Sequence, residues 1–315
     1  MAIRIGISGW TYKPWRGVFF PKGLPQTHEM AYAARTFPSI EVNGTFYGQQ
    51  RPAIFERWRD GTPDDFVFAI KASRYITHIR RLREAEKPLA NFFAQGILAL
   101  GEKLGPILWQ LPPSYRFDPE RLEDFLKLLP HDTEAAAQLA RKHDAGMKGR
   151  VFLTPDKNRP LRHAMEIRHE SFRDDRFVAL LRQYRVGLVV ADTVDWPRLG
   201  DITADFVYAR LHGSEQLYAS GYSDDALDDW VRWFHSWSKS RSPREIDRVS
   251  STKADVKVKD IFVYFDNDMK VKAPFDALKL SKRLKVDAGL PPLEDFVQKK
   301  TRGGNKSAAG RKAKS

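Results

Sequence analysis

Phe206-Val-Tyr-Ala-Arg-Leu-His212 opens as a short apolar run, Phe206–Ala209, and turns polar at its C-terminal end. Seven other runs do the same: Ile3–Ile7, Ser39–Val42, Phe66–Ile70, Pro106–Trp109, Ala164–Ile167, Val186–Ala191 and Ile261–Phe265. Helix-like stretches separate nearly all of them. Eight β–α units in one chain predict an α/β fold of the (β/α)8 TIM-barrel type, whose chemistry sits at the C-terminal ends of the strands. An open doubly wound sheet would also alternate strands and helices, but no G-x-G-x-x-G turn or G-x-x-x-x-G-K-[ST] loop follows any strand.

Strand side chains alternate faces, so residues two apart point the same way. Arg210 and His212 share a side, flanking Leu211; Glu41 and Asn43 flank Val42, and Glu166 and Arg168 flank Ile167. The apolar residue of each trio belongs against the helices, which aims the polar pairs into the barrel mouth. Lys71, Gln110 and Asp192 each follow an apolar run and are expected to join them. On strand eight Asp266 and Asp268 share one face and Asn267 the other, and Asn267 is taken as a substrate contact. Barrel interiors favour branched apolar residues, so this many ionisable groups would be costly there without a use.

The charges nearly cancel. Glu41, Glu166, Asp192 and one strand-eight aspartate face Lys71, Arg168 and Arg210, with His212 able to titrate. The cationic trio predicts a small anionic or phosphate-bearing substrate, with arginine as the bidentate clamp. No cofactor is predicted; a single divalent ion held by Glu41, Glu166, Asp192 and His212 is the competing reading. Trp10, Tyr12, Trp15, Phe46, Tyr47, Tyr218 and Tyr222 gather in the same loops, able to stack on bases or sugars or to form a lid.

Composition bounds the rest. The 315 residues are 42% hydrophobic and 30% charged, with no cysteine, which excludes disulfides and thiolate chemistry. No stretch is apolar enough to span a membrane and Met1–Trp10 lacks a secretory pattern, so the expected setting is cytoplasmic. Of the net charge of +13, Lys299, Lys300, Arg302, Lys306, Arg311, Lys312 and Lys314 contribute seven. Residues 1–290 read as the barrel and 291–315 as a disordered basic tail, a place for nucleic acid to bind. Residues 131–162 and 239–259 read as surface insertions. Helices are expected at 27–37, 52–59, 89–103, 119–129, 133–143, 174–184, 224–237 and 274–284, with Trp196–Ala204 as the helix of the sixth unit.

Several patterns fail on inspection. Gly6-Ile-Ser8-Gly-Trp10 is no nucleophile elbow, and Ser8, Asp192 and His212 share only the chain order of a hydrolase triad. Asp266-Asn-Asp268 lacks the glycine and distal glutamate of a calcium loop, and His28-Glu29 has no second histidine four residues on.

Gly6-Ile-Ser-Gly-Trp10 with Tyr12 and Trp15, Glu41-Val-Asn-Gly-Thr-Phe-Tyr47, Lys71, Ile76-Thr-His78, Gln110-Leu-Pro-Pro-Ser114, Glu166-Ile-Arg168, Arg210-Leu-His-Gly213 and Tyr264-Phe-Asp-Asn-Asp268 resemble the YecE-like domain-of-unknown-function family, across roughly residues 3–285. The resemblance implies a TIM barrel and no particular reaction. Asp266 stands where many relatives are expected to carry asparagine. The barrel is also similar in fold to xylose isomerase and endonuclease four, but this chain lacks the histidine set of the nuclease.

The functional expectation is a hydrolase-like enzyme acting on a phosphate-bearing or nucleic-acid-related substrate. Arg168, Arg210 and Lys71 would bind the anion; Glu41 or Glu166 would be the base and His212 the acid, with Asp192 beside them. Asn43, Gln110, Tyr47, Trp10, Tyr222 and Asn267 would line the substrate. A non-catalytic nucleic-acid or protein-binding module is the alternative, and glycoside hydrolysis by Glu41 and Glu166 the third.

Overall fold

The apolar runs form eight parallel strands in a computed structural model, which describes residues 1–147, 149–213, 220–267, 270–286 and 289–296. They are β1 (Ala2–Ser8), β2 (Ser39–Val42), β3 (Val67–Lys71), β4 (Leu104–Gln110), β5 (His163–Glu166), β6 (Gly187–Asp192), β7 (Phe206–Leu211) and β8 (Asp260–Phe265). Each strand pairs with its neighbours in chain order, and β8 returns to β1, closing the barrel. Gly6 permits the β1–β2 approach: a Cβ there would stand 1.9 Å from the Ser39 carbonyl oxygen.

Side-chain parity divides the apolar residues into two clusters. Outward residues such as Ile7, Val42, Ile70, Trp109, Ile167, Val190, Leu211 and Phe265 join the helices in one large core. Inward residues Ala69, Leu108, Ala164, Val189, Phe206, Tyr208, Phe262 and Tyr264 make a second, smaller core inside the barrel. That inner core is the layer on which the polar mouth rests.

The helical layer comprises α1 (Glu29–Thr36), the single turn α2 (Gly44–Tyr47), α3 (Pro52–Asp60), α4 (Glu86–Ala94), α5 (Pro119–Lys127), α6 (Thr133–Ala140), α7 (Asp175–Gln183), α8 (Asp224–Ser238) and α9 (Ala273–Leu284). Asp118, Asp132, Asp174 and Ser223 cap α5, α6, α7 and α8 by accepting first-turn N–H bonds. Each such cap stabilises its helix start by about 1 kcal/mol. No helix among the described residues is long and apolar enough to cross a membrane.

Two expected helices differ. The periodic stretch 89–103 is not one helix: Gly96, at φ 120°, ends α4, and a tighter 3-10 segment, Ile97–Lys103, follows it. Apolar spacing spans this break because both pieces are buried, Leu89, Phe92 and Phe93 on the first and Ile97 and Leu100 on the second. Trp196–Ala204 forms no helix at all. Segment 239–259 packs on this connection instead: Asp201 accepts the Val249 and Ser250 amides at 2.9 and 3.0 Å, and Ile246 and Val258 are buried. Its lack of periodicity reflects irregular backbone rather than a wholly exposed loop. Residues 297–315, most of the basic tail, lie outside the described residues, as do Tyr218 and Asp268.

Candidate functional site

Two residues beyond Ala69, Leu108, Ala164, Tyr208 and Tyr264 come Lys71, Gln110, Glu166, Arg210 and Asp266. All five side chains therefore rise from the inner core toward the C-terminal mouth, and Ser8 and Glu41 join them from β1 and β2. Arg210 is the hub and is fully buried. Its Nε donates to Glu41 Oε2 at 3.0 Å and its Nη2 to Glu41 Oε1 at 2.8 Å. Nη2 also donates to Asp266 Oδ2 at 2.7 Å, and Nη1 to Glu166 Oε2 at 2.7 Å. One guanidinium holds three carboxylates.

The carboxylates are saturated from the other side as well. Glu41 accepts from Ser8 Oγ and, at 2.6 Å, from the Tyr208 hydroxyl; Asn43 Nδ2 in turn donates to Ser8 Oγ at 3.0 Å. Glu166 Oε1 accepts from Gln110 Nε2 at 3.0 Å and from Arg168 Nε at 2.7 Å. The Arg168 guanidinium lies 3.8 Å from the centre of the Trp196 ring, and Trp196 meets His212 edge-on. His212 Nδ1 lies 3.2 Å from Asp266 Oδ2, and Arg210 Nη1 lies 3.4 Å from Nε2. A neutral imidazole protonated at Nδ1 fits both neighbours.

The electrostatics follow from these contacts. Burial alone would raise the Glu166 and Asp266 carboxyls, but Arg210 foremost among the nearby cations outweighs it and holds both well below the usual range. Burial likewise opposes the Arg210 charge, and Glu41, Glu166 and Asp266 overcome it, so its pKa rises. Burial, then Arg210, lowers His212. Burial pushes Lys71 down to about 8, helped by Arg210 and opposed by Asp266, Glu41 and Glu166.

Lys71 differs from every other charge in the mouth. It is 9% exposed, yet among the described residues its ammonium makes no hydrogen bond or ion pair. Its Nζ sits 4.5 Å from the centre of the Phe46 ring. His78 meets the same ring edge-on and donates to or accepts from Thr77 Oγ1 at 2.9 Å. Burial foremost lowers His78 to about 4, helped by Arg168, Lys71 and Arg74, three cations gathered on this side of the mouth, and opposed by Glu166. Tyr47 and Tyr75 stand exposed on the β2 and β3 loops nearby.

The structure thus brings together Glu41, Asn43, Gln110, Glu166, Arg168, Arg210 and His212, with Lys71 beside them. It separates others. Asp192 follows Ala191, so parity turns it outward; it accepts from Arg198 Nη1 at 2.8 Å and from Trp230 Nε1 of α8 at 3.3 Å. Asn267 also faces outward, donating to Asp276 Oδ2 at 2.9 Å and to the Ser220 carbonyl at 3.0 Å. Asp266 takes the inner position. Tyr222 is buried against Phe265, its hydroxyl accepting from the Gly213 amide at 3.1 Å. Trp10 packs edge-on against Trp58 of α3. Tyr47 stands at the rim, 73% exposed.

Two assigned roles change with this geometry. Arg210 spends its donors on three carboxylates and has no fork left for a ligand. Glu41 and Glu166 are tied up by four and three donors, which leaves neither suited to lift a proton. The same saturation speaks against the divalent ion, since it would have to displace Arg210, and Asp192 points elsewhere. Among the described residues no group of three His, Asp or Glu side chains could hold a metal ion.

Ser8 and Tyr208, neither assigned to the site from the sequence pattern, and Trp196 complete it, Ser8 as a donor to Glu41 rather than as the nucleophile of a triad. Parity could have found the first two, because Tyr208 lies two before Arg210 and Ser8 two beyond Gly6. Nothing local marks Trp196. Two clefts of about 680 and 360 Å3 open at the N-terminal ends of the strands. Arg162, which lines both, is already paired to Asp260 at 2.6 Å and Asp205 at 3.5 Å.

The family model described as a protein of unknown function, DUF72, matches residues 4–300. The UPF0759 protein YecE of Escherichia coli K12 is 31% identical over 131 residues, 41% of this chain and 44% of that protein. The UPF0759 protein YunF of Bacillus subtilis is 28% identical over 116 residues, 35% of this chain and 40% of that one. The aligned stretch therefore spans less than half of each curated relative. A crystal structure of a DUF72 family protein from Thermotoga maritima superposes with a TM-score of 0.68 at 23% identity, over 90% of this chain and 100% of that one. One from Enterococcus faecalis gives 0.63 at 18% identity, over 92% and 98%. At those identities the likeness is one of fold.

Proposed function

This chain belongs to the DUF72 family, and from its own site we propose an acid–base enzyme acting on a small phosphate- or carboxylate-bearing substrate at the C-terminal mouth. The observation that carries the reading is Lys71, a nearly buried cation with no anionic partner among the described residues. A ligand anion would supply the missing counter-charge. Arg168, stacked on Trp196 and 10% exposed, stands on the same side as an oriented guanidinium. Lys71, with its pKa brought down to about 8 by burial, can also exchange a proton within reach of neutral pH, which suits proton transfer.

In this reading the carboxylates do not react. Glu41, Glu166 and Asp266 fix Arg210, and through Glu166 they fix Arg168, so the anion meets a preorganised surface. His212 holds the rim through Trp196 and Asp266. The phosphate-bearing substrate class rests on the electropositive side of the mouth, and exposed Tyr47 and Tyr75 offer rings to a nucleoside or sugar portion.

Calorimetric titration with inorganic phosphate and pyrophosphate tests the reading. Binding that weakens at least tenfold in both Arg168→Gln and Lys71→Met, and that weakens with added chloride, is the expected result. Equal binding by the variants and the wild type would place any anion elsewhere.

A further inference from the structure

We propose that Lys71 is a covalent nucleophile, forming an imine with an aldehyde or ketone that carries an anionic group. The proposal deepens the anion-binding reading of the mouth and rests on it. Three observations converge on this residue.

First, Lys71 ends β3 on the inner face and is held in place, its carbonyl oxygen accepting from Thr45 Oγ1 at 2.7 Å. Second, its ammonium lacks the carboxylate partner that would lock an amine in its protonated form. The three carboxylates within electrostatic reach are committed to Arg210, and Glu166 to Arg168 as well, so none is free to swing over. A desolvated lysine beside another cation is the environment that makes an amine nucleophilic. Third, the Phe46 ring beneath Nζ stabilises positive charge, whether an ammonium or a protonated imine. Arg168 then orients the anionic group of the substrate.

The chemistry balances without another reagent. The neutral Nζ attacks the carbonyl carbon, forming the C–N bond. The carbonyl oxygen departs as water, carrying the two protons that the amine loses, and no oxidant or reductant is required. The imine can draw a neighbouring C–H or C–C bonding pair toward nitrogen, which places proton abstraction or carbon–carbon cleavage next to the carbonyl within reach.

The experiment uses the full chain and pyridoxal 5′-phosphate as a reporter aldehyde with a phosphate. One equivalent is added, borohydride reduces any imine to a stable secondary amine, and peptide mass mapping locates it. The expected result is a label concentrated on the peptide containing Lys71, rising with pH around 8, where exposed lysines need a far higher pH. Inorganic phosphate should suppress it, and Lys71→Arg should lower total labelling at least tenfold. A label spread over exposed lysines, with Lys71 unmodified, overturns the proposal, and if phosphate still binds calorimetrically the anion reading survives alone. Labelling of Lys71 that phosphate does not suppress keeps the imine and removes the anion reading. The wild-type map decides the matter even if the variant misfolds.

Discussion

Replacing Arg210 by methionine isolates the contribution of the buried network. Methionine fills much of the same volume but leaves Glu41, Glu166 and Asp266 buried with their principal cation gone. Removing one partner of a buried ion pair costs about 3–5 kcal/mol, because an uncompensated charge remains. At roughly 2–4 °C per kcal/mol for a chain of this order, the melting temperature should fall by about 10 °C. The sign of the pH dependence follows from the shifts. In the wild type Glu166 and Asp266 are depressed, so their contribution is complete above the unfolded carboxylate range and disappears only in strong acid. In Arg210→Met, burial should raise them, making the deficit largest at neutral pH and smaller as pH falls toward 4.5. Urea unfolding of both proteins at pH 7 and pH 4.5 measures this. A loss below about 1 kcal/mol at pH 7, or a gap that stays constant or widens in acid, would refute the account. Arg210→Lys should recover less than half of the loss, since a point charge cannot span three carboxylates.

Other perturbations separate neighbouring roles. The Lys71 pKa of about 8 lies below its ordinary value, so its burial costs stability below that pH and the cost is relieved toward pH 10.5. Lys71→Met should therefore stabilise the protein by about 1–3 kcal/mol at pH 7 and by little at pH 10, with a net loss at pH 7 contradicting the idea. Tyr208→Phe removes a donor to Glu41 and should cost about 1.5–3 kcal/mol in urea unfolding. Asp192→Asn should cost about 1 kcal/mol through Arg198 and Trp230 while phosphate affinity at the mouth stays within about twofold. A large loss of phosphate affinity in that variant would return Asp192 to the site.

The fold was legible because a barrel strand is written locally: four to seven residues, apolar on both faces, with polar residues at one end. All eight runs overlap their strands, each to within two residues at either end. Parity carried the site nearly as far. Glu41, Asn43, Glu166, Arg168, Arg210 and His212 all face where alternation puts them. It failed for Asp192 because the apolar run Val186–Ala191 gives no phase, its outward and inward faces being equally apolar. Asn267 was misplaced for the same reason, as Ile261–Phe265 is apolar throughout. Trp196 was hidden by its connection, which has no regular backbone and is ordered by a segment some 50 residues later. The charge state of the carboxylates was not legible at all. Composition shows that acids and bases balance, but only geometry shows that Arg210 takes three of them.

The hub also bears on how the barrel can be assembled and altered. Arg210 joins β7 to residues 169 and 44 positions earlier in the chain and 56 later, so no contiguous part of the chain shorter than residues 41–266 contains the whole network. A fragment ending before β7 would bury Glu41 without its arginine and leave Glu166 to Arg168 alone, which argues against stable half-barrels and for late, concerted closure. Inherited change meets an uneven restriction: a change at Arg210 strands Glu41, Glu166 and Asp266 at once, whereas a change at Asp266 leaves Arg210 paired to Glu41 and Glu166.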